Sequence, residues 1–276
     1  MIGAGTMGAG IALIFAEGEA HVRLMSRRRE TLEAARERLG ALEVSTTTSL
    51  DEALEGAHLV VETIVEEAAP KRAVLARAEE LAEADAVVTT NTSSLPLAAL
   101  EGALRRPERF AGLHFLNPPE LVEVVEIVGG EHTAPTTVDT LAAWMSELGK
   151  TPIVVRRDTP GFVVNRLQYA LLREAYALVD SGIASFEDVD RAVTHGLGAR
   201  WAAIGPFETM DLAGLDVHAA VATNLWPQLS NTTEPSPSIA RAVESGIPLR
   251  GETPPEVLRE RRDRVLGGLA ALREDG

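Results

Sequence analysis

Short apolar runs alternate with stretches of helical periodicity through the first half of the chain. The runs at residues 21–25, 57–62, 86–90, 110–114, 122–128 and 153–155 are too short for independent helices and are flanked by turn residues, so they predict strands. Between them, residues 31–39, 71–82 and 136–148 place apolar side chains three and four apart, which predicts helices. Strands separated by helices build a parallel sheet covered on its faces, so an α/β domain is expected over residues 1–157. Beyond Thr159-Pro160-Gly161 the pattern changes. Residues 162–180 form a long helical stretch, and 186–195 and 207–225 continue without a convincing strand. Ser, Thr and Pro mark 230–238 as a loop, and 254–273 reads as a charged amphipathic helix. An all-helical second domain, residues 158–276, follows from this reading.

Composition narrows the function. The chain has 276 residues, 45% of them hydrophobic, enough for two domains of ordinary size. A formal net charge of -15 argues against a nucleic-acid partner, because phosphate backbones are held by clustered Lys and Arg. Only Arg27-Arg28-Arg29 departs from that balance. The absence of Cys excludes disulfides, thiolate metal sites and thiol catalysis, and no metal is expected. No apolar window is long enough to span a bilayer, and the chain opens in a glycine-rich loop instead of a secretory signal. A soluble cytoplasmic protein acting on a small molecule, with no membrane partner, is the resulting expectation.

The run Gly3-Ala4-Gly5-Thr6-Met7-Gly8 fits a dinucleotide fingerprint, with a helix continuing at 9–16. Glycines there let the backbone approach a pyrophosphate, whose charge is stabilised by the amides at the helix N-terminus. At the end of the following strand, where an acidic residue usually holds the adenosine ribose, stands Ser26, followed by Arg27. A carboxylate would repel a 2'-phosphate, whereas a small hydroxyl beside guanidinium groups suits one. The cofactor reading is therefore NAD(P), with NADP favoured over NAD; a solvated turn is the plainer alternative for the same arginines. Only Met1 and Ile2 precede the loop, so the first strand is almost absent, and a start codon assigned late is the favoured explanation.

Asn91-Thr92-Ser93-Ser94 directly follows an apolar strand, at the edge where ligands bind in open α/β sheets. His114 ends the next strand, and Glu126 lies inside another apolar run. A buried carboxylate is costly unless paired, and a His donating to it from one ring nitrogen is oriented to accept a hydroxyl proton with the other.

Together with His114-Phe115-Leu116-Asn117-Pro118-Pro119, Asp158-Thr159-Pro160-Gly161-Phe162-Val163-Val164-Asn165-Arg166 and Gly205-Pro206-Phe207-Glu208, these motifs resemble the 3-hydroxyacyl-CoA dehydrogenase family over roughly residues 1–225. The resemblance implies a Rossmann-like doubly wound domain, a helical domain through which a homodimer forms, and hydride transfer between NAD(P) and the C3 carbon of a 3-hydroxy acid. It implies His114 as general base paired with Glu126, Ser93 and Asn165 positioning the substrate oxygens, and Glu66, Lys71 and Asn91 beside the cofactor with Gly3, Gly5, Thr6, Met7 and Gly8. His21, His58, His132, His195 and His218 lack such context and read as structural.

The chain also departs from that pattern. Members acting on acyl-CoA usually carry a long helical hairpin between two strands of the cofactor domain; here the helix ending near Leu39 passes almost at once into Glu43-Val44-Ser45-Thr46. Only Lys71 and Lys150 are available as ammonium groups for CoA phosphates. Relatives without a full hairpin include dehydrogenases of gulonate, carnitine and a pyridoxine-breakdown product, so a small non-CoA substrate is expected. Arg200 and Trp201 are candidates to meet its carboxylate, against a weightier reading as surface charge and core aromatic. The family's Gly-Phe-Tyr segment is replaced by Gly246-Ile247-Pro248-Leu249-Arg250-Gly251. The rivals are a CoA-thioester dehydrogenase with the same machinery, the 3-hydroxyisobutyrate and 6-phosphogluconate group, which needs a catalytic lysine missing here, and a nucleotide-binding scaffold without chemistry.

Overall fold

The computed structural model describes residues 1–250 and 253–274. It comprises two compact units, Met1–Asn165 and Arg166–Gly276. The first runs past the expected limit at residue 157 because Phe162 is buried in its core and the Val163 and Val164 amides are bonded to Glu126.

Unit 1 is a doubly wound sheet. β1 (Val22–Met25) pairs in parallel with β2 (Val44–Thr47), and β3 (Leu59–Glu62), β4 (Val87–Thr90) and β5 (Phe110–Phe115) run parallel beside one another. β6 (Val124–Gly129) is antiparallel to β5 and parallel to β7 (Thr151–Val155). The reversal at β6 departs from the all-parallel reading and has a simple cause. Only residues 116–123 join β5 to β6, whereas a parallel neighbour needs a crossover of about a dozen residues or more. β2 was not among the expected strands; its Val-Ser-Thr-Thr sequence is polar and none of its residues is buried.

Helices cover both faces. α1 (Thr6–Glu17) and α6 (Pro135–Glu147) bury Ile11, Ile14, Leu141 and Met145 against Val61, Leu113 and Phe115. On the other face, α3 (Leu50–Leu54), α4 (Ala68–Leu81) and α5 (Ala98–Glu101) pack Leu54, Leu75 and Leu100 against Val60, Val88 and Phe110. The alternation of Val60 and Val61 between the two layers is the period-two signature of a strand buried on both sides. α2 (Arg29–Leu39) joins α1 and β1 through Leu32, Ala35 and Leu39. α4 starts before the expected residue 71, with Pro70 in its first turn, where amides have no intrahelical partner and proline costs nothing.

Between β1 and β3 only Ile2 bridges the sheet, pairing with both Met25 and Glu62. It stands in the middle of the sheet, between two strands that do not otherwise meet. Where a strand through this position would continue, the sheet opens into a slot of about 630 Å³ lined by Met1, Phe15, Val22, Ala57, Leu59 and Trp144 among others. The Met1 amine donates to the Arg23 carbonyl at 2.8 Å inside this slot. Burial and the neighbouring Arg23 charge lower its pKa from 8.0 to about 5.

Unit 2 contains α7 from Arg166 onward (the helix runs Val164–Asp180), α8 (Phe186–Arg191), a π-helical stretch Ala192–Leu197, α9 (Gly198–Trp201), α10 (Pro206–Ala213), α11 (Leu215–Leu225), α12 (Pro237–Ser245) and α13 (Pro255–Glu274). The expected helix at 207–225 breaks at Gly214, whose φ of 97° lies outside the helical region. The expected loop at 230–238 already contains the start of α12: Ser236 caps it, and both Ser236 and Ser238 donate to Asp180 at the end of α7. Gly246 ends α12 in the left-handed conformation, and Arg250 pairs with Asp190; Gly251 lies outside the described residues. No helix among the described residues is long and apolar enough to cross a membrane.

The lowered amine pKa has a signed consequence. Between pH 8 and pH 5 the unfolded chain takes up a proton that the folded chain beginning at Met1 refuses, so acidification destabilises the fold through this group. Thermal melts from pH 8 to pH 5 should show the midpoint falling by several degrees. A variant carrying four alternating apolar residues ahead of Met1 should melt higher and lose that part of the pH dependence; identical curves would exclude the slot as its cause.

Candidate active site

The C-terminal ends of β3, β4 and β5 gather the polar side chains. His114 and Glu126 are direct cross-strand partners in the antiparallel β5–β6 pair. Their contact, His114 Nδ1 to Glu126 Oε2, is 2.7 Å, and both side chains are buried. The other carboxylate oxygen accepts the Val163 amide at 2.8 Å and the Val164 amide at 3.0 Å, where α7 begins. Burial alone would raise the Glu126 pKa; the hydrogen bonds from His114 and the two amides outweigh it and hold the group below the usual carboxylate value. An ionised carboxylate only accepts, so Nδ1 carries the proton and Nε2 of the neutral ring is the lone-pair nitrogen. Phe162 fixes the ring from one side, edge-on at 5.4 Å. It does so from a strained backbone, φ 49°, held in place by its burial in the core.

Asn165 follows Val164 in the first turn of α7 and is the last residue of unit 1. The Asn91–Ser94 turn lies beside β5: Thr90 pairs with Gly112, and Asn91 Oδ1 accepts the Phe115 amide at 2.8 Å. Ser93 is exposed at this edge. Among the described residues, neither Ser93 nor Asn165 is hydrogen-bonded to His114, whose ring bonds to Glu126.

The glycine loop opens on the same edge. Gly3 has φ 105°, and a side chain at Gly8 would strike the Gly3 carbonyl at 1.9 Å, so the tight turn requires both. Gly5 differs. It caps α1 without a side-chain bond, α1 has no acidic residue in its first turn, and a Cβ on Gly5 would meet no protein atom within 4 Å. The protein's own packing does not demand a glycine there, but a pyrophosphate lying on the α1 amides would, so the cradle fits a dinucleotide. Thr63 ties the loop to the end of β3 through bonds from Oγ1 to the Ile2 and Gly3 carbonyls. Thr6 offers its carbonyl to Arg38, and Met7 is half-buried against the core layer that holds Ile11, Leu113 and Leu141. At the end of β1, Ser26 Oγ accepts the Arg28 amide at 3.3 Å, and Arg27 is exposed.

Lys71 and Glu66, expected beside the cofactor, also join a network of carboxylates. Lys71 is 1% exposed, with its ammonium 2.8 and 2.9 Å from the two oxygens of Glu62 and 3.3 Å from Glu66. Glu66 holds the Thr92–Ser94 turn, and its pKa falls to about 2: burial opposes ionisation, but Thr92, the Lys71 charge and the Ser94 and Ser93 amides prevail. Glu62 was missed, although a carboxylate closing the apolar run at 57–62 carries the same signal that singled out Glu126. Trp201 is 40% exposed and Arg200 is exposed, so the expectation of a core aromatic there does not hold within the chain. No group of acidic and histidine side chains among the described residues could hold a metal ion.

Replacing Glu126 by Ala leaves two amides and an imidazole without their acceptor, and a loss of about 2 kcal/mol in denaturant unfolding is expected. The pH dependence has a definite sign. A depressed carboxylate stabilises above its unfolded value of 4.5 and loses that contribution on acidification, so the stability gap between the native protein and Glu126→Gln should narrow below pH 4.5. A gap that is constant with pH would show the ionised carboxylate to be irrelevant.

The chain matches the profile described as 3-hydroxyacyl-CoA dehydrogenase, NAD binding domain, over residues 1–43 and 40–159, and that of the C-terminal domain over 161–251. The two N-terminal pieces meet at residues 40–43, where α2 passes into β2. Among characterised proteins it is 37% identical to 5-formyl-3-hydroxy-2-methylpyridine 4-carboxylate 5-dehydrogenase of Mesorhizobium japonicum, covering 87% of this chain and 83% of that one. It is 36% identical to L-carnitine dehydrogenase of Streptomyces griseus over 74% of this chain and 62% of that one. A crystal structure of the pyridine-carboxylate dehydrogenase, described as an NAD+-dependent dismutase, superposes with a TM-score of 0.92 at 34% identity, covering 99% of this chain and 96% of that chain.

Proposed function

Because the chain belongs to the 3-hydroxyacyl-CoA dehydrogenase family and is a nicotinamide-dependent dehydrogenase acting on a CH–OH group, we propose that its substrate is a small free 3-hydroxy acid and not a CoA thioester. The observation that carries this reading is the α2–β2 connection. Only residues 40–43 lie between Leu39 and Val44, so the hairpin that helps to hold CoA in acyl-CoA enzymes has no place in the chain. Similarity to dehydrogenases named for carnitine and a pyridine carboxylate supports the same substrate size.

The chemistry follows from the rim described above. When bound, the nicotinamide cofactor accepts or donates the hydride. His114 takes the hydroxyl proton on Nε2 as the C3–H bond breaks, and Glu126 stabilises the imidazolium that forms. Ser93 and Asn165 hold the reacting oxygen and the neighbouring carbonyl in line with that nitrogen. NADP is preferred over NAD in this reading: the end of β1 presents Ser26, a small hydroxyl, with Arg27 exposed beside it and no carboxylate to repel a 2'-phosphate.

Unit 2 is read as a homodimerisation surface. No hydrophobic side chain among its described residues is buried, while Leu167, Tyr169, Phe207, Leu212 and Trp226 are each more than half exposed. A helical unit with its apolar side chains in water lacks a core of its own, and a second copy supplies one.

Three measurements test these statements. Turnover should be found with free 3-oxo acids and not with acetoacetyl-CoA, with kcat/KM higher for the phosphorylated cofactor; the reverse ranking in either comparison rejects that part of the reading. His114→Ala should lower kcat by about 10²–10⁴-fold with cofactor affinity retained. Light scattering should give twice the chain mass, with a melting temperature that rises with protein concentration, and a concentration-independent monomer would remove the dimer.

A further inference from the structure

Ser93 and Asn165 stand on separate segments of unit 1, the turn after β4 and the first turn of α7, and one stretch of chain joins them to each other and to the base. That stretch begins at Asp158, whose Oδ2 accepts the Leu97 amide at 2.7 Å. Leu97 is fully buried and stands four residues after Ser93, immediately before α5, where an amide has no helical partner of its own. From Asp158 the chain reverses at once: the Phe162 amide donates to the Thr159 carbonyl at 3.0 Å, with Gly161 at φ 79° and Phe162 at φ 49°. An aromatic residue in the left-handed region is an outlier, and such a backbone persists only where its surroundings fix it. Here both ends are fixed. Behind the turn is the bond from Leu97 to Asp158, and ahead of it the Val163 and Val164 amides are held by Glu126 at 2.8 and 3.0 Å. Phe162 itself packs edge-on against His114. One strained strut therefore touches the base and its carboxylate, carries Asn165, and has its foot on the segment that carries Ser93.

We propose that Asp158 is a positioning residue: its carboxylate fixes the segment that carries Ser93 to the strut that carries Asn165, and so sets the spacing of the two groups that hold the substrate. The proposal rests on the roles given to Ser93 and Asn165 above. A separation of 2.7 Å lies at the short end for an N–H···O bond, so the foot has little play. A displacement of about 1 Å in the groups that hold a substrate costs about 100-fold in rate, which makes the length of this foot a kinetic quantity.

The test compares Asp158→Ala, Asp158→Asn and Asp158→Glu by amide hydrogen exchange and by kcat/KM. The substrate is whichever of the free 3-oxo acids and acetoacetyl-CoA the native protein turns over, so the outcome does not depend on the substrate class. Asp158→Ala should lower kcat/KM by about 10–100-fold, with the Kd of the reduced cofactor, read by its fluorescence, unchanged. Exchange should quicken at the Ser93, Ser94, Val163 and Val164 amides while those of β3 and β4 stay protected. Asp158→Asn keeps an acceptor of the same length for the Leu97 amide and should recover most of the loss. Asp158→Glu keeps the charge but lengthens the foot by one methylene, so it should fold and still lose activity, which covers the case of an alanine variant that does not fold. In a Ser93→Ala background the effect of Asp158→Ala should largely vanish, because without the hydroxyl there is no spacing left to set. Native kcat/KM in Asp158→Ala or Asp158→Glu, or losses that add fully with Ser93→Ala, would overturn the proposal while leaving the role of Ser93 intact. An unaltered kcat/KM in Ser93→Ala alone would remove both.

Discussion

A single buried carboxylate holds the reactive part of this protein together. Glu126 has no solvent access, and an ion taken out of water costs several kcal/mol unless hydrogen bonds replace its hydration. Three donors do so, and they come from separate pieces of chain: the imidazole of β5 and the first amides of α7. The same interaction therefore closes unit 1, starts its last helix and fixes the tautomer of His114. Structure and chemistry are not separable at this residue. A substitution that spares one damages the other.

The antiparallel turn of β6 makes that interaction available. In an antiparallel ladder residues stand directly opposite one another, and His114 faces Glu126 with the side chains on the same face of the sheet. A helical crossover between these strands would have left β6 parallel and lost this pairing. The short 116–123 connection is thus a functional constraint on topology. Lys150, through bonds to the Pro119 and Val122 carbonyls, and Arg38, through Glu120, hold that connection from the opposite side.

Much of this was legible from the chain. Alternation of short apolar runs with helical periodicity located six strands of unit 1, and Glu126 stood out because a carboxylate inside an apolar run demands a partner. The direction of β6 is legible too, in the length of the loop before it, because residues 116–123 are too few for a parallel crossover. β2 escaped because a polar edge strand has no buried face to imprint a pattern on its sequence. The network of Glu62, Glu66 and Lys71 was hidden for another reason. Its members are brought together by the register of β3 against β4 and by the first turns of α4, which no local window contains.

The two lysines show how composition and geometry converge. Twenty-four arginines populate the chain beside them, the remainder of 26 basic residues, and the described ion pairs of those arginines are all at least partly exposed on the arginine side. Lys71 is enclosed by two carboxylates and a carbonyl, and Lys150 by two carbonyls, with burial lowering the pKa of Lys150 against the pull of Glu120 and Glu123. An ammonium is a compact centre that converging oxygens can surround, whereas a planar guanidinium spreads its donors in a fixed fork. Lysine is thus kept for the two places where a loop beside the rim must be held from inside. Neither is left for phosphate groups, which agrees with a substrate that brings none.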